Sequence, residues 1–185
     1  MKNLFKNAIL MFTVLTASTF YAQNEKSVMV GGAAMLPTKN IIENAINSKD
    51  HTTLVAAVKA AGLVETLQGK GPFTVFAPTN KAFEKLPKGT VETLLKPENL
   101  KMLQGILTYH VVSGKMNAAT IANTIKMGNG KAILTTVAGG KLTASMKGKS
   151  LIITDENGGI AKVTIADVNQ SNGVIHVIDA VVTPK

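Results

Sequence analysis

The chain has 185 residues with 20 lysines and no arginine, 11 acidic residues, no cysteine and no tryptophan, for a formal net charge of +9. That length suits one domain, and the missing cysteines exclude a disulfide framework, a thiolate zinc site and a thiol nucleophile. Without arginine to grip phosphate or guanine, and with aromatics at 4% of residues to stack on bases, nucleic acid is excluded as a partner.

The chain opens "MKNLFKNAILMFTVLTASTFYAQN". Lys2 and Lys6 precede an uncharged apolar run, shorter than the ~20 residues a bilayer span needs. This pattern predicts a secretory signal over residues 1–22, cleaved after Ala22, and a secreted or periplasmic product. The mature chain carries no cysteine for a lipid anchor and no predicted transmembrane anchor. Residues 23–37 read as a flexible arm, because Gly31-Gly32 and Pro37 discourage regular structure. Residues 38–185 read as the domain.

Asn40 is placed to cap a helix over "IIENAINS", with Glu43 at the capping-box position and an apolar stripe of Ile41, Ile42, Ala45 and Ile46. "HTTLVAAVKAAG" predicts a second helix, capped by Thr52 or Thr53, stopped by Gly62 and buried through Leu54, Val55, Val58 and Ala61. His51, at its start, is expected on the surface. "LVETLQG" adds a short helical turn.

"GPFTVFAPTNKAF" follows. Residues 73–77 have strand composition, and Pro78 cannot donate to a ladder, so pairing stops there. Thr79 then stands at an N-cap. Phe73, Phe76, Pro78, Thr79, Asn80 and Phe83 form a clasp between strand and helix, with the phenylalanines expected in one core. A nucleophile elbow needs flanking glycines, which this turn lacks. In "TVETLLKPENLKMLQGILTYH", Thr90 is a predicted cap and Pro97 a first-turn residue. Leu100, Leu103, Ile106 and Leu107 repeat at helical spacing, and strand is expected from Tyr109 to Val112. From Gly128 onward, β-prone runs alternate with turn signals. "VIHVIDAVV" is apolar on both faces, as a central strand is. Helices first and strands later make the class α+β.

Three stretches carry a resemblance. "GPFTVFAPTNKAF", "TYHVV" at 108–112 and "SNGVIHVIDAVVTP" at 171–184 resemble, in order, the first conserved box, the tyrosine–histidine motif and the closing box of fasciclin domains, here of the short, single-domain bacterial type. The resemblance implies a wedge of antiparallel strands in two sheets with helices packed along one edge. It implies non-catalytic attachment to cell-surface or matrix components, with Tyr109 and His110 as candidate partner contacts. There is no Arg-Gly-Asp. Some members carry carotenoids or associate with lipids, so a carrier of a lipophilic molecule is the alternative.

The remaining chemistry-bearing residues are few. His176 and Asp179 suggest a dyad, but positions three apart on an unbroken strand face opposite sides. Zinc would need three or four ligands from three histidines and scattered carboxylates. No catalytic, metal or cofactor residue is assigned. His176 is expected to be a hydrogen-bonded structural residue, and Asp179 to be held by backbone amides or a hydroxyl. The methionines are dispersed, though Met29 and Met35 beside an apolar cleft would favour a lipophilic ligand. The expected partner is a cell-surface or matrix polymer, an anionic polysaccharide or a lipid surface, met by a monomer.

Overall fold

The structure, a computed structural model, describes residues 26–185, so the expected signal and its cleavage point lie outside the described residues. Strands β1 (Val28–Val30) and β2 (Ala33–Met35) form an antiparallel hairpin. Helices α1 (Ile41–Ala45), α2 (Thr52–Ala60) and α3 (Val64–Gln68) follow. Next come β3 (Phe73–Pro78), α4 (Asn80–Glu84), α5 (Thr90–Leu94) and α6 (Leu100–Tyr109). Then β4 (Val111–Ser113) leads into α7 (Ala118–Met127). The chain closes with β5 (Lys131–Thr135), β6 (Lys141–Lys147), β7 (Ser150–Thr154), β8 (Ile160–Gln170) and β9 (Gly173–Ile178). Among the described residues, no helix is long and apolar enough to cross a membrane.

Seven strands make one large sheet in the order β4-β3-β9-β8-β7-β6-β5. The architecture is the expected α+β, with one departure from all-antiparallel pairing. β3 and β9 run parallel, from Phe73 opposite Gly173 to Pro78 opposite Ile178. β8 is the bent member. Its start pairs with β7, its remainder pairs with β9, and the register shifts between Val163 and Ile165 and again before Val168. Such irregularities bend a strand and increase its twist. The sheet folds back until β4 meets the end of β5, where Val112 bridges Thr136 and the Val137 N–H donates to the Val111 carbonyl at 2.7 Å.

Two apolar clusters fill the molecule. One lies between the sheet, the β1–β2 hairpin and helices α1, α2, α3 and α6. The other is enclosed by the curled sheet and α7. β9 is buried at every position, as a central strand should be. Its alternation sends Ile175 and Val177 to the first cluster and Ile178 to the second.

Several local expectations are corrected. Residues 28–35 of the supposed arm are the hairpin, and Val30 and Met35 are buried in the first cluster. Gly31 and Gly32 take positive φ at the hairpin turn, so they build it rather than disrupt structure. Ile46 is exposed, because α1 ends at Ala45, while Asn44 on the inner face is buried. The left-handed Gly89, not Thr90, precedes α5. Phe73 and Phe83 pack on the first cluster and Phe76 lies in the second, so the phenylalanines serve two cores.

Candidate functional site

The strand-to-helix turn after β3 is held by two side chains. The strand ends at Pro78, and Thr79 Oγ1 accepts the Ala82 N–H at 3.3 Å, the expected cap of α4. Asn80 reaches further. Its Oδ1 accepts the Thr53 N–H at 3.0 Å and the Thr52 hydroxyl at 3.2 Å, and its Nδ2 donates to the Lys49 carbonyl at 2.9 Å. Neither Thr52 nor Thr53 caps α2 with its own side chain, so a residue 27 positions along the chain satisfies that helix start instead.

Tyr109 and His110 are not strand neighbours. Tyr109 is the last residue of α6 and His110 its C-cap, and both are buried, 0% and 3% exposed. The Tyr109 hydroxyl donates to the Lys141 carbonyl at 2.7 Å and accepts the Glu156 N–H at 3.2 Å. Burial pushes its phenol pKa above the ordinary value. His110 Nδ1 sits 2.8 Å from the Ile106 carbonyl, which can only accept, so Nδ1 carries the proton. Its Nε2 accepts the Val182 N–H at 3.2 Å. The ring is thereby fixed neutral, and burial lowers its pKa to about 4. The exposed edge contact expected of this pair is absent, because both rings face inward.

His176 is buried and hydrogen-bonded. Its Nε2 donates to the Met116 carbonyl at 2.9 Å, its Nδ1 accepts the Asp167 N–H at 3.4 Å, and its ring stacks on Phe76. Burial again lowers its pKa. Asp179 lies just past β9, so the strand-parity argument does not reach it. Its Oδ1 accepts the Lys162 N–H at 2.7 Å, and its Oδ2 pairs with the half-exposed Lys85 at 3.5 Å. Among the described residues, no three His, Asp or Glu side chains gather to hold a metal.

His51 overturns its expectation. It is buried, because a 3₁₀ turn over Lys49–His51 precedes α2 and rolls the ring inward. Nδ1 lies 2.9 Å from Ser48 Oγ, while Nε2 has no hydrogen bond, and the Ala77 backbone lies near the ring. Burial lowers its pKa. This ring helps to line an apolar cavity of about 50 Å³ inside the first cluster, along with Met35, Ile41, Val58 and Leu107. Met29, by contrast, is 60% exposed and does not line it.

Two further polar residues tie the domain together. Asn172, buried, accepts the Ile41 N–H at 3.0 Å and donates to the carbonyls of Leu67 and Gly69, both at 2.8 Å. Asp155 accepts the N–H groups of Asn157, Gly159 and Thr183. The turn strings "SNG" and "DENGG" were the available signals; both mark side chains that bond backbone.

The Fasciclin domain family model matches residues 49–184. The chain belongs to the fasciclin domain family. A fasciclin relative, protein sll1483 of Synechocystis sp., is 49% identical over 160 residues, which cover 86% of this chain and 82% of the relative. Immunogenic protein MPB70 of Mycobacterium bovis is 37% identical over 145 residues, covering 76% of this chain and 66% of the relative. Among solved structures, a fasciclin domain pair from the insect cell adhesion molecule fasciclin I superposes with a TM-score of 0.69 at 19% identity, covering 78% of this chain and 51% of that one. The three stretches that carry the resemblance all lie within the matched residues, and the side chains described in them bond to other groups of the same domain.

Proposed function

We propose that this fasciclin domain is a non-catalytic attachment module that works outside the cytoplasm and binds an anionic surface polymer. The observation that carries the reading is the inward use of its motif side chains. Thr79, Asn80, Tyr109, His110 and His176 direct their polar atoms at backbone groups or neighbouring side chains of the same domain. Recognition then falls to the exterior, where every described lysine is exposed. The solved neighbour comes from an insect cell adhesion molecule and, at 19% identity, supports the fold alone.

The test is binding of the purified chain to immobilised heparin and to polygalacturonate over a salt series. Affinity that falls steeply as salt rises supports the reading. No binding to either polymer at low salt would remove it.

A second reading, a carrier of a lipophilic molecule, is favoured by the apolar cavity bordered by Met35 and the unpartnered His51 nitrogen. At about 50 Å³ the cavity is smaller than the ~150 Å³ that admits benzene, so a carotenoid would need the helices to part. Native mass spectrometry of protein from its own host, showing a bound lipid or pigment, would favour the carrier.

A further inference from the structure

The outward faces of β5, β6, β7 and β8 form a surface that no motif accounts for. In these strands every second residue faces away from the second cluster. The pairing registers align them into rows. One row runs Lys131, Ser145, Ile152, Lys162, and the next runs Ile133, Thr143, Thr154, Ile160. Lys147 lies opposite Ser150 on one side, and Lys141 opposite Thr135 on the other. With strands ~4.8 Å apart, the lysines ending the first row stand about 14 Å from each other.

The face mixes three kinds of side chain. Lysines hold its margins, Ser145, Thr143 and Thr154 share its centre with the half-buried Ile152, and Ile133 and Ile160 are exposed at the ends of the second row. The paired rows place no carboxylate on it, and Asp167, further along β8, accepts the Ala118 N–H at 2.6 Å. Among the described residues, none of Lys131, Lys141, Lys147 and Lys162 has an ion-pair partner. The bordering carboxylates are engaged: Glu156 accepts the Lys141 N–H, and Asp179 accepts the Lys162 N–H and pairs with Lys85. Beside the face, between α7, the β6–β7 turn and β8, lies an open cleft of about 610 Å³ bordered by Lys149, Ser150, Lys162 and Thr164. That volume lies within the ~300–1,000 Å³ of small-ligand pockets.

We propose that the outer face of β5–β8, with this adjoining cleft, is the docking surface for a linear anionic polysaccharide; the proposal rests on the anionic-polymer reading above. A sugar chain offers acidic groups to the marginal lysines, hydroxyls to the Ser and Thr rows, and C–H faces to the isoleucines. A lipid surface fits less well, because the isoleucines stand singly among hydroxyls and lysines, with no protruding aromatic wedge.

The test compares the intact chain with two variants of equal charge change. One carries K131Q, K141Q, K147Q and K162Q; the other carries K39Q, K70Q, K88Q and K101Q from the helical side. Both are checked by circular dichroism and melting, then titrated against heparin, polygalacturonate and vesicles of phosphatidylglycerol with phosphatidylcholine. The expected result is a loss of roughly tenfold or more in polymer affinity for the sheet variant and roughly twofold or less for the helical one. Equal loss in both variants would overturn this assignment and leave the attachment reading standing. Failure of the unmodified chain to bind either polymer would defeat both. Binding to the vesicles but not to the polymers would assign the face to lipid and overturn the proposal.

Discussion

His110 Nε2 accepts the Val182 N–H at 3.2 Å, joining the end of α6 to a segment 72 positions later. Val182 is fully buried, and the next residue, Thr183, donates its N–H to Asp155 at 2.9 Å. The tyrosine–histidine motif thus fastens the closing segment of the domain.

That bond makes stability depend on pH. Protonating His110 would turn Nε2 into a donor facing another donor. Its pKa is about 4 folded against 6.5 for the free side chain, so the unfolded chain takes up protons first as pH falls. The contribution is fully present above about pH 6.5 and is lost as pH drops toward 4, reaching about 3 kcal/mol if the full shift is realised. His51 and His176, also lowered by burial, act in the same direction. Denaturant unfolding at pH 7.5, 5.5 and 4.0 should show a falling midpoint, less steep in His110→Gln. A midpoint flat across this range would contradict the neutral-histidine account.

The two residues of the strand-to-helix turn should differ in cost. Thr79→Ala removes one cap bond, and about 1 kcal/mol is expected. Asn80→Ala removes three bonds that tie α4 to the start of α2 and the 3₁₀ turn before it, and about 2 kcal/mol or more is expected. Urea midpoints of the two variants, measured side by side, check the order.

Asn172→Ala should be among the harshest polar substitutions. It strips a partner from the Ile41 N–H and from the Leu67 and Gly69 carbonyls. Buried groups left unpaired cost about 1–3 kcal/mol each, so a loss of about 3 kcal/mol is expected. Thermal melting is the readout, and Asn172→Asp, which sets a buried carboxylate oxygen against the Leu67 and Gly69 carbonyls, should recover none of the loss.

Gly173→Ala should break the parallel pairing of the sheet centre. A Cβ at this position would lie 2.2 Å from the Phe73 carbonyl oxygen, which belongs to the neighbouring backbone. Its φ is not in the left-handed region, so close approach, not conformational freedom, requires the glycine. The expected outcome is a chain that fails to accumulate as folded protein, whereas Gly139→Ala, strained at φ +88° with open space around it, should fold at a cost of about 1 kcal/mol. Soluble yield and circular dichroism separate the two.

Local signals in the sequence were legible where one rule acted alone. The Asn40–Glu43 capping box, the Thr79 cap, the stop at Gly62 and the doubly buried β9 follow from short-range chemistry, and each is present. What escaped was set by partners far along the chain. Thr53 looked like its own cap because nothing local shows that Asn80 reaches it. Tyr109 and His110 looked like strand because β-prone "VV" follows, yet α6 continues through Tyr109 on the packing of Leu103 and Leu107. His51 looked exposed because a polar ring at a helix start usually is; here the turn before α2 carries it into the apolar cavity. The lysine face became visible only when β5 to β8 were placed in register.

The parallel pairing of β3 with β9 has a consequence for how the polypeptide is made. Phe73 and Gly173 lie opposite each other, so an inner strand of the sheet waits about a hundred positions for its neighbour. A ribosome must therefore pass β9 before the centre of the sheet can close, and until then β3 has only β4 as a neighbour.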